Sequence, residues 1–392
     1  MLSLRLFLKS SALMGCSAAA HPLMSGITFA SAPGENRLVV IILRGAMDGL
    51  DAFQPYGDKN LRDLRMTIST GPEGGAHDLD GYFALHPGLG SLLPLWQAGE
   101  LAFAPAVSTP YRDKRSHFDG QNILEAGTGT DLDEDQQRDG WLNRLLQNMP
   151  SAQSTTAYSV GTEEMLILSG KAAARSWAPE VKLQLSPQAE RLLQRVYEDD
   201  PLFHAASEQA IEIAAAGLAD PDQGEGAPQK ISALASFAAA RLNEDTRIAS
   251  FSLNGWDSHA GQARSLVRAF DQLASAILTL KSGLGGNWAR TTVLAMTEFG
   301  RTARENGSGG TDHGTGGALL MAGGAIRGRR RIGDWPGLAE ADLYAGRDLM
   351  PMRDIRSYAA WAMRDLFDIP RDTLERAVFP DLDMGDNPRI LA

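Results

Sequence analysis

Residues 37–43, Arg-Leu-Val-Val-Ile-Ile-Leu, form an unbroken β-branched apolar run that ends at once in the turn-rich segment Arg44-Gly-Ala-Met-Asp-Gly49. A strand with one wet face alternates apolar and polar side chains, so a run without alternation calls for cover on both faces. The feature predicts a central strand of a parallel sheet, and the rest of the chain must supply the layers around it. Helical periodicity appears over 85–96, 117–126, 230–242 and 263–280, and buried-strand patterns over 99–107, 247–253, 291–297 and 317–322. Alternation of the two predicts an α/β fold, a mostly parallel central sheet flanked by helices on both faces. No internal repeat and no phosphate-loop or GxGxxG glycine pattern interrupts it.

Within 392 residues this pattern fits one elaborated domain over 33–392. Between about 150 and 227 the chain mixes Ser, Ala, Gln and Pro around a helical stretch at 208–218, the character of an insertion or cap. Hydrophobic residues at 43% and charged residues at 22% allow a large core and exclude wholesale disorder.

Residues 1–32 combine a basic start at Arg5 and Lys9, an apolar and small-residue stretch, and an Ala30-Ser31-Ala32 ending, which together read as a signal peptide. The run Ser3-Leu4-Arg5-Leu6-Phe7-Leu8-Lys9 resembles a twin-arginine export motif in which Leu4 replaces the first arginine. Leu13-Met14-Gly15-Cys16 also resembles a lipoprotein processing box, the alternative to a simple periplasmic product. Past the leader no apolar run reaches the roughly 20 residues of a membrane span.

Cys16 is the only cysteine, so a mature chain would hold any metal through His and carboxylates alone. Without the two leader cations the formal charge of −11 becomes −13, which repels nucleic-acid phosphates and anionic lipid. The basic run Arg327-Gly-Arg-Arg-Arg331 reads as a solvated loop or as an edge that steers anions.

The acids and histidines fall where strands end. Asp48 follows the first strand, Asp257 and His259 follow the strand 247–253, and Glu298 follows the strand 291–297. In parallel sheets, sites lie outside the carboxyl ends of the strands, so these loops should converge. Asp312 and His313, in the glycine-rich loop 307–317, could arch over the same rim. Carboxylates and imidazoles of this kind hold divalent ions at about 2.0–2.2 Å. Acidic loops at strand ends are also common without a metal, and Asp48 alone could cap a turn.

Ser116 begins the helical pattern 117–126, either as an N-cap or as a nucleophile beside helix amides. His117 is the second candidate there, as a ligand or a proton shuttle. Arg115 and Arg301 could grip two oxygens of an oxyanion or serve as ordinary ion-pair partners. His86, before Pro87, reads as structural, and His77 and His204 as surface residues.

Together Leu43-Arg-Gly-Ala-Met-Asp-Gly-Leu50, Ser116-His-Phe-Asp119, Gly255-Trp-Asp-Ser-His259, Thr297-Glu-Phe-Gly-Arg-Thr302, Glu305-Asn-Gly and Thr311-Asp-His-Gly314 resemble a large family of exported bacterial proteins, a domain of unknown function. That family often carries twin-arginine leaders and looks like a branch of the alkaline phosphatase and sulfatase superfamily. The resemblance implies that Asp48 holds a second metal, that Ser116 is the nucleophile, and that Asp257, His259 and His313 hold the first metal. It puts Glu298-Phe299 where the superfamily has an Asp-His pair, so the second site is richer in oxygen, and magnesium, manganese or calcium become as acceptable there as zinc. Asp312 could supply the missing ligand or act as an outer partner of His313. The sulfatase signature is absent, because Phe118 and Gly120 stand where Pro and Arg would.

The expectation is therefore an exported, periplasmic hydrolase of phosphate or related esters, with one or two divalent ions and a small-molecule or glycan anionic ester as substrate. The alternative is a non-catalytic descendant that keeps metal for structure or binds an envelope polysaccharide or protein.

Overall fold

A computed structural model describes residues 34–130, 139–150, 152–161, 165–178 and 227–392. The expected leader, the helical stretch at 208–218, His204 and most of the expected insertion lie outside these residues.

The described residues hold twelve strands: β1 (Arg37–Leu43), β2 (Phe53–Gln54), β3 (His77–Asp78), β4 (Ala84–Leu85), β5 (Leu101–Ser108), β6 (Ala157–Val160), β7 (Arg175–Trp177), β8 (Ile248–Leu253), β9 (Thr291–Thr297), β10 (Gly317–Ala322), β11 (Arg330–Arg331) and β12 (Arg353–Asp354). Nine of them make the main sheet in the order β11-β5-β10-β9-β1-β8-β6-β7, with β12 also paired to β5, while β2, β4 and β3 form a small separate sheet. β9, β1, β8, β6 and β7 run parallel; β10 runs against both its neighbours. The protein is thus α/β with a mixed, mostly parallel sheet.

The continuous apolar run of β1 is explained by its two faces. Val39, Ile41 and Leu43 belong to one buried cluster, with residues of helices α3 (Ala227–Leu242) and α4 (Gln262–Leu284). Leu38, Val40 and Ile42 belong to the other, with residues of α1 (His117–Ala126), α2 (Trp141–Asn148) and α5 (Ile355–Phe367). Every side chain of β1 is buried, and fully burying an aliphatic one contributes about 1.5–3 kcal/mol. Helix and sheet layers are therefore tied through one strand.

Strand register positions the site. Leu43 pairs with Leu253 on one side and Thr297 on the other, so β1, β8 and β9 finish in one row. The segments after them leave the sheet at a common edge. Because β10 is reversed, it is the start of this strand, Gly317, that lies beside Val107 of β5, and the loop 307–316 reaches the same edge from outside.

Two local readings change. The amphipathic pattern at 85–96 is a 3-10 turn, Pro87–Leu92, followed by a short α-helix, Leu93–Gln97. Pro87 and Pro94 deprive the backbone of amide donors, and Gly88 and Gly90 loosen it, so a single α-helix does not form. The helical stretch also does not join neighbouring strands: β5 runs parallel to β1 but stands two strands away, with β9 and β10 between.

Candidate metal centre

Four side chains, from two of the rim loops and the start of α1, meet at one oxygen. Asp257 Oδ1 lies 3.5 Å from His117 Nε2, 3.1 Å from His259 Nε2 and 3.3 Å from His313 Nε2. Donor atoms of His117, Asp257 and His313 all lie within 4.8 Å of one another, a spacing that a metal ion can bridge.

Each ring is oriented through its other nitrogen. His117 Nδ1 is 2.8 Å from Glu298 Oε1, His313 Nδ1 is 2.9 Å from the Arg115 carbonyl, and His259 Nδ1 is 3.3 Å from Asp312 Oδ1. All three partners can only accept, so each Nδ1 donates, and in a neutral ring Nε2 then carries a lone pair. Three lone pairs converge on a carboxylate oxygen, and two of the nitrogens, those of His259 and His313, are 2.9 Å apart. Such a gathering of acceptors repels itself unless a proton or cation lies among them. His117 Nε2 is moreover buried without a hydrogen-bond partner. This donor set fits a divalent ion, in the arrangement where an outer acceptor fixes each liganding imidazole.

Charge is set accordingly. Burial works to raise the pKa of Asp257, but Arg301, 2.5 Å away, outweighs it and holds the carboxyl below its usual value. Glu298 is similarly pushed up by burial and more strongly down by its bonds, His117 first among them. The bond to Glu298 in turn raises His117, while burial lowers His313.

Glu298 touches no cluster atom except through His117. Its Oε1 also accepts from Gly45 N (2.9 Å), Ala46 N (3.1 Å) and Gln121 Nε2 (3.2 Å), and its Oε2 accepts from Thr297 Oγ1 (3.0 Å). These bonds make it the support of a ligand. Asp312, likewise, braces His259 (the expected partner was His313) and accepts from Asn306 Nδ2 at 3.0 Å.

Asp48 is held away from the cluster. Both its oxygens are gripped by Arg65, at 2.6 and 3.2 Å, and it also accepts from Leu50 N and Gln262 Nε2. It caps the short helix Gly49–Ala52, the turn-capping role that its position allowed. Burial pushes its pKa up, but Arg65 overcomes this and the carboxyl stays ionised. Arg65 and Gln262 were missed in the sequence because nothing local marks them: their bonds to Asp48 span 17 and 214 residues.

Arg301, expected to face a substrate, is buried. It donates to the carbonyls of Ala46, Thr311, Gly45 and Trp256 as well as to Asp257. It therefore fastens the three rim loops together and aims Asp257. Glycine makes the close approach possible: a Cβ on Gly45, whose φ is +117°, would stand 2.6 Å from Asp257 N. Phe299 supplies an apolar wall, stacked on His117 at 5.1 Å between ring centroids and packed 5.3 Å from His313.

Ser116 is the N-cap of α1, its Oγ accepting from Asp119 N at 3.3 Å, and its own N–H donates to the Tyr111 hydroxyl. Arg115, beside it, is exposed, with its backbone in the left-handed region at φ 56°. His86 is buried, and its Nδ1 accepts from Gly88 N.

The sequence pattern of a family described as a protein of unknown function (DUF1501) matches residues 76–360. No curated protein matches the chain. Among solved structures, it is similar to the integral membrane protein lipooligosaccharide phosphoethanolamine transferase A from Neisseria meningitidis, at 13% identity and a TM-score of 0.41, over 94% of this chain and 62% of that one. It is similar to a protein in the alkaline phosphatase superfamily from Vibrio parahaemolyticus, at 12% identity and a TM-score of 0.38, over 82% and 71%. It is also similar to Ps i-CgsB in complex with k-i-k-neocarrahexaose, at 10% identity and a TM-score of 0.39, over 76% and 68%. The chain spans less than two thirds of the transferase's length. No helix among the described residues is long and apolar enough to cross a membrane.

Proposed function

The chain belongs to the DUF1501 family, and from that premise we propose that it is an exported metal-dependent hydrolase of phosphate or related esters. The observation that carries this reading is the convergence of imidazole Nε2 atoms on Asp257 Oδ1, each ring fixed from behind by an acceptor.

One ion fits better than two. Asp48 and Glu298, which a second ion would need, are satisfied by Arg65 and by the Gly45 and Ala46 amides. Two or three imidazoles with one carboxylate suit zinc better than magnesium, manganese or calcium. With His117, Asp257 and His313 as ligands, a position stays open for substrate. A divalent ion there supplies Lewis-acid polarisation of the ester oxygen. Ser116, at the N-terminus of α1, is the nucleophile of this reading; the free amides of the first turn favour an anion beside it. Arg115 meets the anionic ester from the rim, whether that ester is a small molecule or part of a glycan.

His259 supports a second reading. If it joins the other three, a tetrahedral ion is saturated and the site becomes structural, as in a non-catalytic envelope or polysaccharide-binding protein. Metal analysis and ester hydrolysis on wild type, Ser116→Ala and His259→Ala separate the two. Hydrolysis that disappears in Ser116→Ala while metal is retained supports the enzyme. Stoichiometric metal with no hydrolysis of any phosphate, sulfate or phosphonate ester by the wild type supports the structural centre.

A further inference from the structure

The basic run 327–331 takes no part in the metal centre. It follows β10 and lies at the opposite edge of the sheet, where β1 and β9 begin. Strands of seven residues separate the two edges by about 20 Å. There an open cleft of about 440 Å³ is lined by Asn36, Arg290, Arg327, Asp365, Asn387 and Arg389, among others.

The cleft is framed by fixed backbone. Arg330 donates to the carbonyls of Arg327 (3.1 Å), Pro388 (3.2 Å) and Arg389, tying the turn after β10 to the C-terminal segment. Arg327 N donates to Ile390 O at 2.7 Å and Ala392 N to Ala325 O at 2.9 Å, and Asn36 anchors to Leu366 O at 2.9 Å. Arg330 thus spends its fork on structure, and Arg327 and Arg389 remain exposed. Neither makes an ion pair among the described residues; Arg290 reaches only Glu35, at 3.7 Å. Burial, and then the charges of Arg327 and Arg389, lower the pKa of Arg330, so these cations crowd one another. Three arginines against one aspartate leave the lining a formal side-chain charge of +2, on a chain whose net charge is −11.

We propose that this cleft binds a small organic phosphate, its dianion gripped by Arg290, Arg327 and Arg389. Guanidinium forks match phosphate oxygens in pairs. The volume falls in the roughly 300–1,000 Å³ range of small-molecule sites, more than a bare ion needs, so the phosphate is carried on an organic body. Asn36 and Asn387 offer it neutral polar partners.

The test is calorimetric titration of the full chain at low ionic strength with glucose 6-phosphate, inorganic phosphate and glucose. His313→Ala is run alongside, to separate the cleft from the metal centre. The sugar phosphate should bind His313→Ala, which lacks the metal centre, with the affinity of the wild type's cleft, inorganic phosphate should bind more weakly, and glucose should not bind. Arg327→Ala/Arg389→Ala should weaken the sugar phosphate at least tenfold with an unchanged unfolding midpoint, since both side chains are exposed. Equal affinity in that double variant, no binding to the wild type, or loss of binding in His313→Ala overturns the proposal.

Discussion

His117 Nδ1 lies 2.8 Å from Glu298 Oε1, and this one bond leaves Nε2 of the same ring buried without a partner beside Asp257. An acid placed where a ligand is expected thus acts one bond further out.

Glu298→Gln should weaken metal binding by about 10–100-fold while leaving the fold intact. Competition against a chelator reads the affinity, and circular dichroism checks the fold. An affinity equal to the wild type's would remove Glu298 from the support of the site.

His313→Ala should lose the ion, because its Nε2 is one of the nitrogens gathered at Asp257 Oδ1. Elemental analysis of the purified variant measures this. Metal at wild-type stoichiometry would mean that the ion sits elsewhere.

Arg65→Met should cost about 3–5 kcal/mol of stability, since it strands the Asp48 carboxylate, and both side chains of that pair are 1% exposed. Urea unfolding provides the number. A loss under about 1 kcal/mol would show that Asp48 finds another partner or takes up a proton.

Burial lowers the pKa of His86, more than Asp51 and Asp48 raise it. Above about pH 6.5 the ring is neutral in the folded and unfolded chains alike. As pH falls from there toward the lowered folded value, the unfolded chain binds the proton first, and stability drops by up to about 1.4 kcal/mol per pH unit. His86→Asn should flatten that slope between pH 6.5 and 5. Parallel curves for the two proteins would show that His86 titrates alike in both states.

Much of this arrangement is written locally. β9 and β10 coincide with their apolar runs, and α1 starts where Ser116 can cap it. The convergence of Asp257, His259 and His313 follows from strand ends sharing an edge, because chain direction alone decides where loops emerge. What local sequence does not carry is who answers a charge. Whether Asp48 faces a metal or a guanidinium depends on Arg65, and whether Arg301 faces substrate or backbone depends on carbonyls up to 256 residues away. Nor does an apolar run encode its direction, so the reversal of β10 is visible only in the pairing.

That reversal brings His313 to the rim, 196 positions after His117. The proposed ligands come together only when both chain segments have reached this edge, so an ion bound there would latch a topology already complete. By mass action a latch of this kind adds about 2.7 kcal/mol at a free-ion concentration one hundred times its dissociation constant. The durability of the protein would then follow the ion supply of whatever compartment receives it.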